Sequence, residues 1–209
     1  MPKIKEEIRI LGIDDAPFNT LQNPMWIPGL QRVTNKLLKR FMKGKILVIG
    51  TFFRGGSSLD GVLSTKITID GDDSTKNIIE MVNKSKFKPQ LKLLMLDGIA
   101  VGGFNVIDID ELFQKTGLPI IVVIRTKPDF QRIEAALKKL GKEKKFELIK
   151  KAGKVYPVEK IFMQIRGIDL DEAKDIVKMT CTKSNIPEPI RVAHIIASGV
   201  VDGQSRGRA

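Results

Sequence analysis

Two aspartates stand where apolar runs end. Asp14, followed by Asp15, closes Arg9-Ile-Leu-Gly-Ile, and Asp97 closes Leu91-Lys-Leu-Leu-Met-Leu. A carboxylate in that setting needs a partner, because a lone buried charge costs several kcal/mol or stays protonated. Two strand-end carboxylates that meet repel unless a cation lies between them. Mg²⁺ suits the position, since it takes one or two carboxylates at about 2.0–2.1 Å and keeps waters that phosphate oxygens can replace. A pair of such ions about 3.5–4 Å apart clamps the attacking and leaving oxygens of a phosphodiester. The competing reading is that both acids cap the elements that follow them and pair with nearby lysines. His194 lies in Pro187-Glu-Pro-Ile-Arg-Val-Ala-His, beside Val192, Ala193, Ile195 and Ile196. On residue types alone it reads as a half-buried histidine rather than a ligand.

The segment Gly98-Ile-Ala-Val-Gly-Gly-Phe-Asn offers main-chain amides and one aromatic ring. It suits either a cradle for a base or phosphate, or an ordinary tight turn. No lysine-terminated phosphate loop and no dinucleotide fingerprint occurs, and there is no Gly-x-Ser-x-Gly elbow of a serine hydrolase.

These groups sit in a chain of 209 residues, room for one domain with a substantial core. Hydrophobic residues make up 42% and charged residues 29%, a globular rather than disordered balance. Cys181 is the only cysteine and His194 the only histidine, which excludes an internal disulfide and a zinc finger and fits a reducing cytoplasm. No apolar run has the length of a secretory signal or a membrane span. Lys and Arg number 36 against 24 Asp and Glu, a net charge of +12. Such an excess points to a polyanionic partner, nucleic acid before a membrane surface, unless it reflects a generally lysine-rich proteome.

The pattern predicts strands in the second half of 4–15 and at residues 45–53, 59–69, 91–96 and 119–124, the second and third forming a hairpin. Leu30, Val33, Leu37, Leu38 and Phe41 recur at helical spacing with Arg32, Lys36, Lys39, Arg40 and Lys43 opposite, a basic amphipathic helix. Further helices are expected at 75–83, 110–115 and 130–140, the last continuing through a run with eight lysines between 138 and 154. Two short β segments at 154–158 and 161–165 precede helices at 169–180 and 190–201, and residues 203–209 form a small basic tail expected to fray. No repeat or linker divides the chain, so one domain spans 1–209. An α/β fold follows, with an antiparallel hairpin on an otherwise parallel sheet and functional groups where strands end.

Longer motifs add a resemblance. Gly12-Ile-Asp-Asp-Ala-Pro-Phe, Leu59-Asp-Gly-Val-Leu, Gly71-Asp-Asp-Ser-Thr, Leu96-Asp-Gly-Ile-Ala-Val-Gly-Gly-Phe-Asn-Val-Ile-Asp-Ile, Gly117-Leu-Pro-Ile-Ile-Val-Val-Ile-Arg and Ile186-Pro-Glu-Pro-Ile-Arg-Val-Ala-His-Ile-Ile-Ala-Ser resemble the archaeal endonuclease dU family, a relative of endonuclease V. The resemblance covers residues 8–208. It implies a ribonuclease H-like mixed sheet with flanking helices and a Mg²⁺-dependent phosphodiesterase centre, with Mn²⁺ as a substitute ion. Asp14 then corresponds to the central metal ligand and Asp97 to a second, while His194 becomes a site member. Arg125 falls where endonuclease V has a lysine and would face phosphate with a guanidinium's different geometry. Arg191 belongs to the same C-terminal motif and is a candidate substrate contact.

Two departures from endonuclease V stand out. Its glutamate before the first long helix is replaced here by Asp73 or Asp72, and its aromatic wedge is missing. Base recognition is then expected from Gly102, Gly103, Phe104 and Asn105. The segment 20–43 is an insertion without an assigned role. The function implied is a DNA endonuclease that nicks near a deaminated base, foremost deoxyuridine. The alternatives are deoxyinosine or inosine specificity, or a catalytically silent nucleic-acid binder on the same fold.

Overall fold

The computed structural model describes residues 7–17 and 44–205. The predicted basic helix at 30–43 and the last residues of the tail lie outside them. The elements run β1 (Arg9–Asp15), β2 (Lys45–Arg54), β3 (Ser58–Thr68), α1 (Ser74–Asn83), β4 (Leu93–Asp97), β5 (Ala100–Val101), β6 (Asn105–Val106), α2 (Ile109–Thr116), β7 (Ile120–Ile124), α3 (Phe130–Lys139), α4 (Glu143–Lys151), β8 (Tyr156–Val158), β9 (Ile161–Arg166), α5 (Leu170–Thr180) and α6 (Glu188–Asp202).

Seven strands form one mixed sheet in the order β3-β2-β1-β4-β7-β9-β8, and β5 with β6 makes a separate small hairpin. β1 is antiparallel to β2 and parallel to β4, and β7 is parallel to β4. The α/β mixed sheet has the expected antiparallel β2–β3 hairpin, but it is not otherwise parallel: β9 runs antiparallel to β7 and β8 antiparallel to β9, because the short β8–β9 connection returns the chain as a second hairpin at the far edge. The parallel centre is apolar on both sides, as a sheet covered on both faces must be. Leu94 and Leu96 of β4 join a core cluster with Leu11 and Ile13 of β1, Ile78 and Val82 of α1, and Leu112 of α2. Leu93 and Met95 point the other way, into a cluster with Ile10, Ile176 and Val177 of α5, and Ile190 of α6.

One expectation from spacing is corrected. The lysine-rich run does not continue a single helix, because Gly141 adopts a φ of 64° and separates α3 from α4. A left-handed backbone ends a helix, and glycine enters it without a Cβ clash. The turn folds α4 back, so Leu137 of α3 packs with Phe146 and Ile149 of α4 and with Val106 of β6.

Candidate active site

Strand parity and register bring the two predicted acids together. β1 and β4 pair in parallel with Gly12 beside Met95 and Ile13 beside Leu96. One step further along each strand stand Asp14 and Asp97. Met95 shares a core cluster with Ile10, and with a period of two Asp14 and Asp97 lie on that same face, the side of α5 and α6. Asp15 has the opposite parity and faces the side of α1 and the β5–β6 hairpin.

Arg125 comes from the residue after β7, the strand parallel to β4. Its Nη2 donates to Asp97 Oδ2 at 2.6 Å. His194 comes from α6, whose seat on the sheet is set by Gly12. A Cβ there would stand 2.5 Å from the Pro189 carbonyl oxygen and 2.6 Å from Pro189 Cβ. The fully buried Thr51 hydroxyl donates to that same carbonyl at 2.5 Å. Pro-Glu-Pro at the start of α6 therefore docks on the bare backbone of β1. Less than two turns later His194 Nδ1 lies 2.9 Å from Asp14 Oδ2. Across such a contact the ring N–H donates and the carboxylate accepts.

Among the described residues, Asp14, Asp15, Ala16, Pro17, Asp97, Arg125 and His194 line one open cleft of roughly 390 Å³. That volume is on the scale of a small-ligand site, and its openness admits a polymer backbone. The electrostatics are those of crowded carboxylates. Burial pushes the Asp14 carboxyl up and the charge of Asp97 adds to it, against the hydrogen bond from His194. Removal from water, reinforced by Asp14, pushes Asp15 up to about 7. His194 is raised in turn, chiefly by its hydrogen bond to Asp14, and Arg125 is raised by its hydrogen bond to Asp97.

The donors that could hold a divalent cation are Asp14 and Asp97. Among the described residues no three His, Cys, Asp or Glu side chains converge as a ready-made ligand set. A zinc-type cage is thus not built here. Mg²⁺ is different, because one or two carboxylates hold it while water and phosphate oxygens complete its octahedron. The hard oxygen donors and the repulsion between them fit that ion.

The other predicted site residues lie elsewhere. Asp73 is engaged at the start of α1, where it accepts from the Thr68 N–H at 2.9 Å, the Thr68 hydroxyl at 2.8 Å and the Asn105 amide at 2.7 Å. Asn105 is fully buried, and its Oδ1 accepts from the Ser74 N–H at 3.1 Å. This pair locks β6 to α1 instead of meeting Asp14, and buried Asn105 has no face for a base. Asp72 points outward, 80% exposed, and pairs with Lys145 at 2.8 Å. Gly102 and Gly103 form the hairpin turn with φ of 56° and 83°, while Phe104 is half-buried against the α3–α4 cluster. Of the four residues expected to hold a base, Gly102 touches the cleft wall, donating its N–H to Asp15 Oδ2 at 2.9 Å. Arg191 binds Glu188 through two contacts of 2.7 Å within α6 and is absent from the cleft lining.

Asp15, which stands beside Asp14 in the sequence, also lines the cleft and was not singled out from the sequence. The signal was the doubled acid at a strand end, but the side chain's destination depends on the hairpin 80-odd positions away.

Among the described residues no helix is long and apolar enough to cross a membrane. In overall shape the chain is similar to a crystal structure of a protein of unknown function from Archaeoglobus fulgidus, with a TM-score of 0.77 and 35% identity over 93% of this chain and 99% of that one. It also shares the fold of human endonuclease V, with a TM-score of 0.55 and 14% identity over 94% and 85% of the two chains. Endonuclease V of Ciona intestinalis, in complex with a 24mer DNA containing an inosine followed by a ribo-adenosine, gives a TM-score of 0.52 at 16% identity, over 91% and 84%. In sequence, a UPF0215 protein of Methanothermobacter thermautotrophicus is 48% identical over 99% of this chain and 94% of its own length. A counterpart in Pyrococcus furiosus is 41% identical over 97% of each chain. The family model for endonuclease dU matches residues 6–201. The ribonuclease H-like, endonuclease V-type fold and the family expected from the motifs are thereby established, and the chain belongs to the endonuclease dU family of nucleases.

Proposed function

We propose that the protein is a Mg²⁺-dependent DNA endonuclease that nicks near a deaminated base, with deoxyuridine as the base recognised. The observation that carries the reading is the convergence of Asp14, Asp97, Arg125 and His194 in one open cleft at the strand ends. Family membership supports the deoxyuridine assignment, and the similarly folded endonuclease V of Ciona intestinalis, solved in complex with a DNA containing an inosine, supports a nucleic-acid substrate.

Asp14 and Asp97 would hold the ion, or Mn²⁺ in its place. When bound, it would polarise the scissile phosphate and lower the pKa of an attacking water. Arg125, turned toward Asp97 in the free protein, supplies a fixed guanidinium for a phosphate oxygen. His194 is oriented by Asp14 and would pass a proton to a leaving 3′-oxygen. The preorganised positive groups stabilise charge that grows on the phosphate without reorganising during the reaction. Lysines on α3 and α4 give the strand a positive surface, which makes binding fall steeply with salt. A mispaired base leaves the stack more easily than a paired one, which favours deaminated cytosine over the normal base.

Incubation of the protein and Mg²⁺ with end-labelled strands containing one deoxyuridine, one deoxyinosine or neither tests the substrate. A nick confined to the deoxyuridine strand is expected. A preference for deoxyinosine would overturn the assignment of the base while keeping the centre, and binding without cleavage would make the protein a silent binder.

A further inference from the structure

We infer, independently of the chemistry in the cleft, that β3 is a docking edge for a second copy of this chain, the two copies pairing antiparallel about a two-fold axis at Leu63. β3 is an outer strand of the seven-stranded sheet and runs for 11 residues. Among the described residues β2 alone pairs with it. A row of unpaired N–H and C=O groups templates another strand, so natural sheets blunt such edges.

Here the blunting stops short of the middle. The Thr68 N–H donates to Asp73 at 2.9 Å, and the Lys66 carbonyl accepts from the Asn77 amide at 2.9 Å. Both partners lie outside the β2–β3 ladder, so the even-numbered residues here turn their backbone groups away from β2. At the other end a bulge opposite Phe52 and Phe53 displaces Asp60 from the ladder. Between these limits, among the described residues, nothing pairs with the outward N–H and C=O of Val62 or Ser64. The Val62 side chain is 45% exposed, on the face where Thr51 beside it meets α6.

Symmetry and charge name the occupant. The open stretch is centred on Leu63, and an antiparallel copy centred there sets Val62 opposite the partner's Ser64 and Ser64 opposite the partner's Val62. These two pairs exchange backbone hydrogen bonds, and Leu63 meets the partner's Leu63 at the closer, non-hydrogen-bonded spacing. Leu63 is a partly buried rim of the core on the α1 side, which the second copy would extend. Asp60 then falls opposite the partner's Lys66, and Lys66 opposite the partner's Asp60, so each end of the shared stretch closes on opposite charges. A two-fold moved by one residue in either direction sets both charges against Ser, Thr or Val instead. Asp60 is already held by Arg54 at 3.0 and 3.1 Å, while among the described residues Lys66 has no acidic partner. The contact uses the same patch on both copies and closes at two.

Sedimentation velocity on the full chain, without DNA or metal and over about a hundredfold range of concentration, reads the monomer–dimer equilibrium. The variants are Val62→Pro, Lys66→Glu, Asp60→Lys and the double variant Asp60→Lys/Lys66→Glu. Proline at 62 removes an outward N–H that the single copy does not use, and thermal unfolding checks that each variant is folded. The parent should dimerise, and Val62→Pro should stay monomeric throughout. Each single charge variant sets like charges at both ends and should weaken the dimer about tenfold or more. The double variant restores the opposition and should return to within about threefold of the parent. A parent monomeric over the whole range would overturn the inference, as would a parental dimer in Val62→Pro. Equal weakening in the single and double charge variants would overturn the register, whether or not proline is tolerated at 62.

Discussion

Replacing Gly12 by alanine tests whether the seat of α6 controls the site. The new Cβ would lie 2.5 Å from the Pro189 carbonyl oxygen and 2.6 Å from Pro189 Cβ. Ordinary contact begins at 3.4 Å, so one partner must retreat by about 0.9 Å. β1 is paired on both sides, by β2 and by β4, and has no freedom to give. The start of α6, with Pro189 on rigid backbone, must therefore move. That shift would loosen the Thr51–Pro189 hydrogen bond and stretch the 2.9 Å contact between His194 and Asp14 to as much as about 3.8 Å, beyond hydrogen-bond range. The expected cost is about 1–3 kcal/mol in stability, the usual scale of overpacking. Nicking should fall by about 10²-fold, the scale of a misplacement near 1 Å in a catalytic array. Urea unfolding and a single-turnover nicking assay on deoxyuridine DNA read the two effects. Parental values in both would refute the argument that Gly12 is small to admit α6.

Three further expectations follow from other parts of the molecule. Asp73→Asn should lose about 1–3 kcal/mol of stability, because it breaks the acceptor set at the start of α1, without a loss of nicking beyond that explained by unfolding. Burial opposes the charge of Asp73, but the bonds from Thr68 and Asn105 hold its folded pKa below the usual carboxylate value. Its contribution is therefore present above about pH 3.9 and lost as pH falls through the folded value, so urea midpoints of Asp73→Asn and parent should converge in acid. In metal-free protein the cleft acts in the opposite direction. Asp15, raised to about 7, and Asp14, also raised, each bind a proton in the folded state that the unfolded chain releases nearer pH 4, and His194, raised as well, loses its favourable charge as pH climbs. Stability should then fall from about pH 4 through about pH 7, and Asp15→Asn should flatten that fall in the same urea titration. Finally, replacing exposed Lys138 and Lys139 by alanine should reduce the slope of log affinity against log salt by about 1.8, read by fluorescence anisotropy on labelled DNA.

The acids Asp14 and Asp97 were legible because a carboxylate at the end of an apolar strand is a local pattern. That they share one face required the β1–β4 register, which no short window contains. Asp73 was expected as a site acid because it falls where endonuclease V has a glutamate, yet its carboxylate is committed to Thr68 and to Asn105, 32 positions away. The break at Gly141 overrode the helical periodicity of the lysine-rich run, since a single residue's backbone outweighs the amphipathic pattern around it. His194 could be read as core or site from its apolar neighbours. The close approach of bare Gly12 to Pro189 seats α6 so that His194 reaches Asp14, and that approach joins residues at opposite ends of the chain.

A divalent-ion centre on the two strand-end aspartates requires that cleavage depend on both of them and on the ion. Parent, Asp14→Asn and Asp97→Asn proteins, each verified as folded by circular dichroism, are incubated with a deoxyuridine strand in Mg²⁺, Mn²⁺ or EDTA and resolved on a denaturing gel. The parent should nick the strand in either metal and not in EDTA, and neither variant should nick it. A nick that persists in EDTA, or in both aspartate variants, would contradict such a centre.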